Sequence, residues 1–436
     1  MPKPTQSTRF RAKAYAPWLL LALLLAGLIA AESVAVYTVF TSRFPSGNDF
    51  FVRWLGGREY LLNGTNPYDR SVAEAAQQAM FGRLAQPEDK DQAYFAYPLY
   101  TLYFFWPLSL MGYAKAQAVW MTLLQFMLLG STGLALWLSG WRPPKWLLIA
   151  GLLWGILFYN GARAILLGQF SILVGLALFL GLWAIERRYD SWAGVFLSVT
   201  TIKPQMVFLV LLFLFVWLLL QGRWRVIGSF AASMAALVLS SMLLVPTWPF
   251  DFIRNAVEYS DYVAFGTPLE NLLHYFLRPG LAAPLTVWLS LLFFMALLPG
   301  WWLAFRGRPG AYTWAIHATL IVGSLITFRS ATTNQVILYL PIFFFLYRLA
   351  HIRVPAGLMA AGLFGLMMFM WGVFGATLDG NWEAVMMHGL LPALLLLLFA
   401  LDWRALWAAA VRYEAQIPGP ETRRRASSPA RAEGTV

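Results

Sequence analysis

The chain has 436 residues, 60% of them hydrophobic and only 12% charged, about half the roughly 25% charged residues of typical soluble domains. A soluble core of that length could not hide so much apolar surface, so the composition excludes a string of soluble domains and calls for lipid as a solvent. The absence of cysteine excludes disulfides, thiolate nucleophiles and Cys-ligated metal sites, and the net charge of +12 reads as lysine and arginine kept on the cytoplasmic side rather than as a nucleic-acid signature.

The first apolar run, 18–40, follows Lys3, Arg9, Arg11 and Lys13. It is too long for a cleaved signal peptide and reads as a signal-anchor with a cytoplasmic N-terminus. Further apolar segments lie near 97–111, 116–139, 146–159, 167–185, 192–220, 226–246, 285–305, 311–328, 334–347, 355–377 and 385–401. The expectation is an all-α, polytopic transmembrane bundle of about twelve helices, without an internal repeat. Residues 1–16 form a cytoplasmic N-terminal segment, 17–401 the membrane domain, and 402–436 a basic cytoplasmic tail read as disordered. The loops 221–225, 306–308 and 348–353 are basic and also read as cytoplasmic.

Two topologies compete for the middle of the chain. Counting every segment as a span puts Arg142, Lys145, Arg187 and Arg188 outside. Treating 97–111 as interfacial and breaking 192–220 at Lys203–Pro204 puts those four inside, and leaves Arg163, Gln169 and Lys203 facing the outer side. The second is preferred because it respects the inward bias of basic residues. In either case 41–95, 247–284 and 378–384 face outward. These three segments hold 8 Lys/Arg and 13 Asp/Glu, a net of −5, against 24 and 7 in the remainder. Outer loops of this length usually carry function.

The first loop contains Phe50, Phe51, Trp54, Leu55, Leu61 and Leu62 at helical spacing, which predicts an amphipathic helix resting on the membrane surface. Gly47 and Asn48 turn into it, and Asp49 falls at its N-cap or first turn. Asp49 therefore reads as a helix cap and also as a general base at a boundary where water is restricted; the two roles are compatible.

Asp49, the aromatic helix, Gly64-Thr-Asn-Pro67-Tyr68 and Tyr97-Pro98-Leu99 together resemble glycosyltransferase family 87. The resemblance continues through Gly168-Gln169, Ala193-Gly194, Ile202-Lys203-Pro204 and Gly222-Arg223-Trp224-Arg225. It covers about 45–225 well and the C-terminal half loosely. It implies a GT-C type membrane enzyme, related to polyprenyl-phosphate-mannose-dependent mannosyltransferases. Such an enzyme takes a sugar from a polyprenyl-phosphate carrier on the outer face and passes it, with inversion, to a lipid or glycan hydroxyl. In such enzymes the first-loop Asp deprotonates the acceptor, and the matching position here is Asp49.

A lipid phosphate leaving group needs cationic or hydrogen-bonding partners. Lys203, Arg163 and Gln169 are the candidates in the first half, and Arg329 in the second. Lys203 and Arg163 also fit snorkelling positions, Gln169 a helix terminus, and Arg329 a simple charge anchor. The second outer loop carries Asp251, Arg254, Glu258, Asp261, Glu270, Asn271 and His274 among aromatic residues. Glu270 and Asn271, with Tyr68, are the candidates for acceptor or sugar binding. Family members carry a Trp/His-containing stretch at the position of 327–335. This chain has no histidine there, and His317 lies too deep to replace it.

No phosphate loop, His-Glu-x-x-His motif or nucleophile elbow is present, and His274, His317, His351 and His388 do not make a metal site. Outer carboxylates and a lipid phosphate could hold a divalent metal, but no motif calls for one, and no cofactor is expected. The expected partners are the polyprenyl-phosphate sugar, a lipid or glycan acceptor and membrane lipid, not nucleic acid. The expected location is the plasma (inner) membrane, with the site on the extracytoplasmic face and both termini cytoplasmic. A transporter or flippase for lipid-linked sugars is the alternative. It would place polar residues at the bilayer midplane on repeated broken helices, whereas here they gather in outer loops and at helix ends.

Overall fold

The apolar runs fold as helices because a backbone in hydrocarbon must satisfy its own N–H and C=O groups. A computed structural model describes residues 6–416 except 87, 88, 90, 263–265, 381 and 382. Among these residues the chain order is α1 (Gln6–Val36), α2 (Asn48–Asn63), α3 (Arg70–Phe81), α4 (Trp106–Ser109), α5 (Tyr113–Leu138), α6 (Lys145–Leu157) and α7 (Tyr159–Leu167). Then come α8 (Ser171–Glu186), α9 (Asp190–Val199), α10 (Pro204–Leu220), α11 (Trp224–Leu244), α12 (Trp248–Tyr262) and α13 (Pro268–Phe276). The last six are α14 (Pro279–Phe305), α15 (Ala311–Ile326), α16 (Tyr339–His351), α17 (Ala356–Thr377), α18 (Met387–Leu401) and α19 (Trp403–Gln416). No strand element occurs among the described residues.

Six described helices are long and apolar enough to cross a membrane, and up to eight if the bent pairs α6–α7 and α18–α19 each count as one span. The expected total of about twelve is not reached among the described residues; two of the reasons, a non-spanning 97–111 and a broken 192–220, belong to the preferred topology, and the third is helix length. The segment 97–111 is a 3-10 turn (Leu99–Phe104) followed by the single-turn α4, too short to span. The segment 192–220 is broken: α9 ends at Val199, a 3-10 turn covers Thr200–Ile202, and α10 restarts at Pro204. Proline lacks the N–H and fixes φ, so it starts a helix well and continues one badly. Finally, α8, α10 and α15 are apolar but only 16, 17 and 16 residues long.

Two further expectations change. The stretch from 402 is not disordered throughout, because Trp403–Gln416 is helical, turned 86° from α18. Leu406, Ala409, Ala410 and Tyr413 bury one face of it. Glu414 also accepts hydrogen bonds from the N–H groups of Gly310 (2.7 Å) and Thr313 (3.0 Å), supplying the start of α15 with the acceptor that a helix N-terminus lacks. The tail beyond 416 lies outside the described residues. The other change concerns α2, which does not rest on one apolar face. Phe50, Val52, Arg53 and Trp54 are all buried, and of its apolar residues only Leu61 and Leu62, in the last turn, are exposed.

The chain divides into two compact units, 1–130 with 160–176 and 233–264, and 131–159 with 177–232 and 265–436. The first is centred on rings: Phe50 stacks on Trp120 at 5.2 Å, and Trp120 meets Phe170 at 4.9 Å. Trp54 Nε1 donates to the carbonyls of Leu108 (3.1 Å) and Met111 (3.2 Å), tying α2 to the end of α4. The second unit is built around α15, buried from Ala315 to Leu325, with α10, α14, α18 and α19 packed on it.

In this second unit Gly194 of α9 lies against α11. A Cβ there would stand 2.4 Å from the carbonyl oxygen of Val226 and 2.5 Å from the amide nitrogen of Phe230. Backbone atoms cannot step aside as a side chain can, so Gly194→Ala is expected to cost about 3 kcal/mol, the upper end of overpacking. Thermal unfolding in detergent should show a lowered midpoint; an unchanged midpoint would mean the two helices separate freely.

Candidate active site

In the first unit the left-handed conformation of Gly47 (φ 78°) starts α2, and its carbonyl accepts the N–H groups of Phe50 (2.8 Å) and Phe51 (2.9 Å). That puts Asp49 in the first turn, with its side chain 33% exposed. Four residues on, one turn along the same face, Arg53 brings Nη1 to 3.9 Å from the Asp49 carboxylate and 2.8 Å from the Asp49 carbonyl oxygen. Its guanidinium lies 4.3 Å over the ring of Tyr97. Arg53 is only 7% exposed, and a buried charge of this kind requires a counter-charge.

Asp91 supplies a second carboxylate. Desolvation raises its pKa above the ordinary carboxylate range; the Ala93 N–H (2.8 Å) opposes that, the charge of Asp49 adds to it, and Arg53 opposes it. Two carboxylates thus feel one buried arginine. An acid whose folded pKa is raised gives stability that is present below its unfolded pKa and lost as pH rises through the folded value. Asp91→Asn keeps an acceptor for Ala93 while removing the ionisation. It is expected to raise the unfolding midpoint at neutral pH, with the gain vanishing in acid. A gain independent of pH would count against this account.

The other candidates of the first unit are placed as follows. Gly168 packs so closely that an added Cβ would lie 2.5 Å from the Cβ of Phe50, and its carbonyl accepts from Trp120 Nε1 at 2.9 Å. This seats the turn holding buried Gln169 beside the start of α2. Arg163 is half-buried on α7, one turn before that loop. Tyr68 is almost wholly buried, and its hydroxyl donates to the Tyr97 carbonyl at 2.5 Å. Burial pushes its pKa well above the usual phenol value, with Tyr100 and Asp251 adding to the effect. Tyr68 therefore supports the ring over which Arg53 lies. Nearby, Asp251 accepts from Asn66 (2.9 Å) and Thr247 (2.6 Å) and pairs with Arg254 at 3.2 Å. The side chain of Asp261 lies outside the described residues.

In the second unit the break before Pro204 leaves Lys203 as N-cap of α10, 6% exposed, with Nζ donating to Asn334 Oδ1 at 3.0 Å. It is not a lysine snorkelling to water. Asn334 lies in the 3-10 turn Thr332–Leu338, whose residues are all buried. Just before it, Arg329 takes positive φ (54°), and its N–H donates to the carbonyl of Gly266 at 3.3 Å. Beside Asn334, the buried Thr333 hydroxyl has no hydrogen-bond partner among the described residues.

Glu270 and Asn271 start α13. Thr267 caps that helix, its side chain accepting from the Glu270 N–H at 3.1 Å, and the Glu270 carboxylate folds back over Gly266. Asn271 uses both amide atoms within the protein: Oδ1 accepts from Gly266 N–H (3.2 Å), and Nδ2 faces His388 Nδ1 (3.2 Å). His388 Nε2 lies 3.2 Å from Glu383, whose carboxylate also accepts from the hydroxyls of Tyr159 and Thr332.

Sequence reasoning missed Arg53, Asp91, Glu383 and His388. The i,i+4 spacing of Asp49 and Arg53 was a usable signal. Glu383 was visible only as an acid in a short outer segment, and nothing in the spacing links it to His388. No group of three or more His, Cys, Asp and Glu among the described residues is arranged to hold a metal ion.

Apolar helices that bury an arginine with carboxylates in one unit, and a lysine within a polar network in the other, define a polytopic membrane protein equipped for polar chemistry. The particular class follows from comparison: the model of glycosyltransferase family 87 matches residues 95–332, and the chain belongs to that family. It is accordingly a membrane glycosyltransferase, which sets aside the transporter reading. The matched region contains Arg163, Gln169, Lys203, Glu270, Asn271 and Arg329; it begins after Asp49 and Tyr68 and ends before Glu383 and His388. Neither a curated protein nor a solved structure matches the chain.

Proposed function

We propose that the enzyme is of GT-C type, acts on the extracytoplasmic face of the plasma membrane, and transfers mannose or another hexose or pentose from a polyprenyl-phosphate carrier to a lipid or glycan hydroxyl, with inversion. Both termini are cytoplasmic in this reading. The observation that carries it is the partly exposed carboxylate of Asp49 in the first turn of α2, with buried Arg53 beside it. A base for a hydroxyl acceptor must be ionised, reachable by the acceptor and held in place. Arg53, 3.9 Å from the carboxylate and donating to the Asp49 carbonyl at 2.8 Å, holds that first turn in place.

For the donor, the leaving phosphate needs fixed donors in a site from which water is excluded. Lys203 Nζ, the Arg329 guanidinium and the Thr333 hydroxyl suit that task in the second unit, and Arg163 and Gln169 are the corresponding groups of the first. Asn271 and Tyr68 spend their polar side-chain atoms on contacts within the protein, which leaves Asp49 in the first unit and Glu270 in the second as the candidates for the acceptor. The deciding experiment incubates purified protein with radiolabelled polyprenyl-phosphate sugars, nucleotide sugars and envelope lipids. Transfer from a polyprenyl-phosphate sugar with inverted anomeric configuration is the expected result. Transfer from a nucleotide sugar alone would overturn the reading.

A further inference from the structure

The segments 266–271, 329–335 and 383–388, far apart in sequence, meet in the second unit around Asn271, His388 and Glu383. The bonds have one consistent direction. Asn271 Oδ1 accepts from the Gly266 N–H, so Nδ2 is the donor toward His388. His388 Nδ1 must then be the unprotonated nitrogen, and Nε2 carries the proton, which it donates to Glu383 Oε1 at 3.2 Å. The Glu383 carboxylate accepts in addition from Tyr159 and from Thr332 Oγ1, at 2.8 Å to its nearer oxygen. The side chains of His388 and Glu383 are 4% and 9% exposed. Both ring nitrogens of the histidine and both amide atoms of Asn271 are therefore taken up inside the protein.

The two ends of this relay bracket one stretch of chain. At one end Gly266, which donates to Asn271, accepts from the N–H of Arg329, a residue held at positive φ where only glycine sits without strain. At the other end Glu383 holds Thr332, and the His388 carbonyl accepts from Gln335 Nε2. Between them lies Asn334, the acceptor for Lys203 Nζ.

We infer that Asn271, His388 and Glu383 are positioning residues: a neutral, directional relay that fixes residues 329–335 so that Arg329 and Lys203 present their charges in one geometry. This rests on the proposed role of those two cations at the donor phosphate. The relay itself touches no substrate. It makes neutral His388 a requirement, because a proton on Nδ1 would set N–H against the amide hydrogens of Asn271.

Reversing the relay tests it. Glu383→Gln leaves one acceptor oxygen where the carboxylate had two, so an amide N–H must face either Nε2–H or the hydroxyls of Tyr159 and Thr332, and Asn271→Asp removes the donor to Nδ1. Each keeps side-chain size, and each is expected to raise the donor KM about tenfold, the loss of roughly one oriented hydrogen bond to a charge, with kcat changed little. Combined, they permit the opposite tautomer, with Nε2 accepting from the Gln amide and Nδ1–H donating to the Asp. The double variant should recover to within about threefold of the unmodified KM. A purely packing role would lower the unfolding midpoint without moving KM, or would make the losses add; either result overturns the inference. If the single variants do not fold, 15N spectra of the histidine-labelled, unmodified enzyme still decide: His388 must be neutral with its proton on Nε2, and any other form overturns the relay. Lys203→Met and Arg329→Met provide the separation from the parent reading. If neither raises the donor KM, the phosphate assignment fails; if both do and the relay variants do not, only the relay fails.

Discussion

Asn in place of Asp49 should leave the protein folded and inserted while lowering kcat for sugar transfer by about 10²–10⁴, the range supplied by a positioned base. The amide has nearly the shape of the carboxylate, so the turn from Gly47 into α2 survives. In structural terms the change removes one favourable charge at a helix N-terminus, worth about 0.3–1 kcal/mol, and the counter-charge nearest Arg53. That arginine keeps the Asp49 carbonyl at 2.8 Å, the Tyr97 ring at 4.3 Å and the field of Asp91. A small fall in the unfolding midpoint is therefore expected beside a very large fall in rate. Catalysis suffers more because an amide cannot accept the proton of the attacking hydroxyl. Asp49→Glu should retain more activity than Asp49→Asn, since it restores the charge at the wrong distance. The check is initial-rate transfer at saturating donor, with folding followed in parallel by thermal unfolding. Full transfer by the Asn variant would remove Asp49 as the base.

What the sequence could disclose depends on how local the cause is. The break at Lys203–Pro204 was legible because proline acts on its own peptide and the one before it. Asp49 was legible because Gly47 and Asn48 announce a helix start within two residues. The burial of α2 was not. Phe50 and Trp54 share a stripe, yet Val52 and Arg53 are also buried, because neighbouring segments cover α2 on several sides. A single-stripe reading sees only one. The reverse holds at α19, which lies inside the basic stretch read as disordered although Leu406, Ala409, Ala410 and Tyr413 have the spacing of a buried helical face. Least legible was the Asn271–His388–Glu383 contact. Its partners are 117 residues apart for the first bond and only five for the second, and no periodicity predicts which turn of α13 meets the start of α18. The missing histidine of 327–335 is a related case: His388 sits against Thr332 and Gln335 from a different segment, through Glu383 and its own carbonyl.

Lys203→Met is expected to raise the donor KM by about 10–100-fold, equivalent to the roughly 1.5–3 kcal/mol of a hydrogen bond to a charged group, and to change kcat much less. Methionine keeps the unbranched stem, so the packing before Pro204 is preserved and the ammonium alone is lost. The substitution also has a structural cost. Asn334 Oδ1, which now accepts from Nζ at 3.0 Å, loses a buried donor, and such a loss costs about 1–3 kcal/mol. Stability and donor affinity would then fall together, and the first could be mistaken for the cause of the second. Pairing Lys203→Met with Asn334→Leu removes the orphaned carbonyl and should restore much of the unfolding midpoint, because replacing both partners of a buried bond by apolar groups is close to neutral. The same double variant should keep the high donor KM, since the charge is still absent. Recovery of both quantities together would make Lys203 a structural cap of α10. Recovery of the midpoint alone would assign its charge to the phosphate.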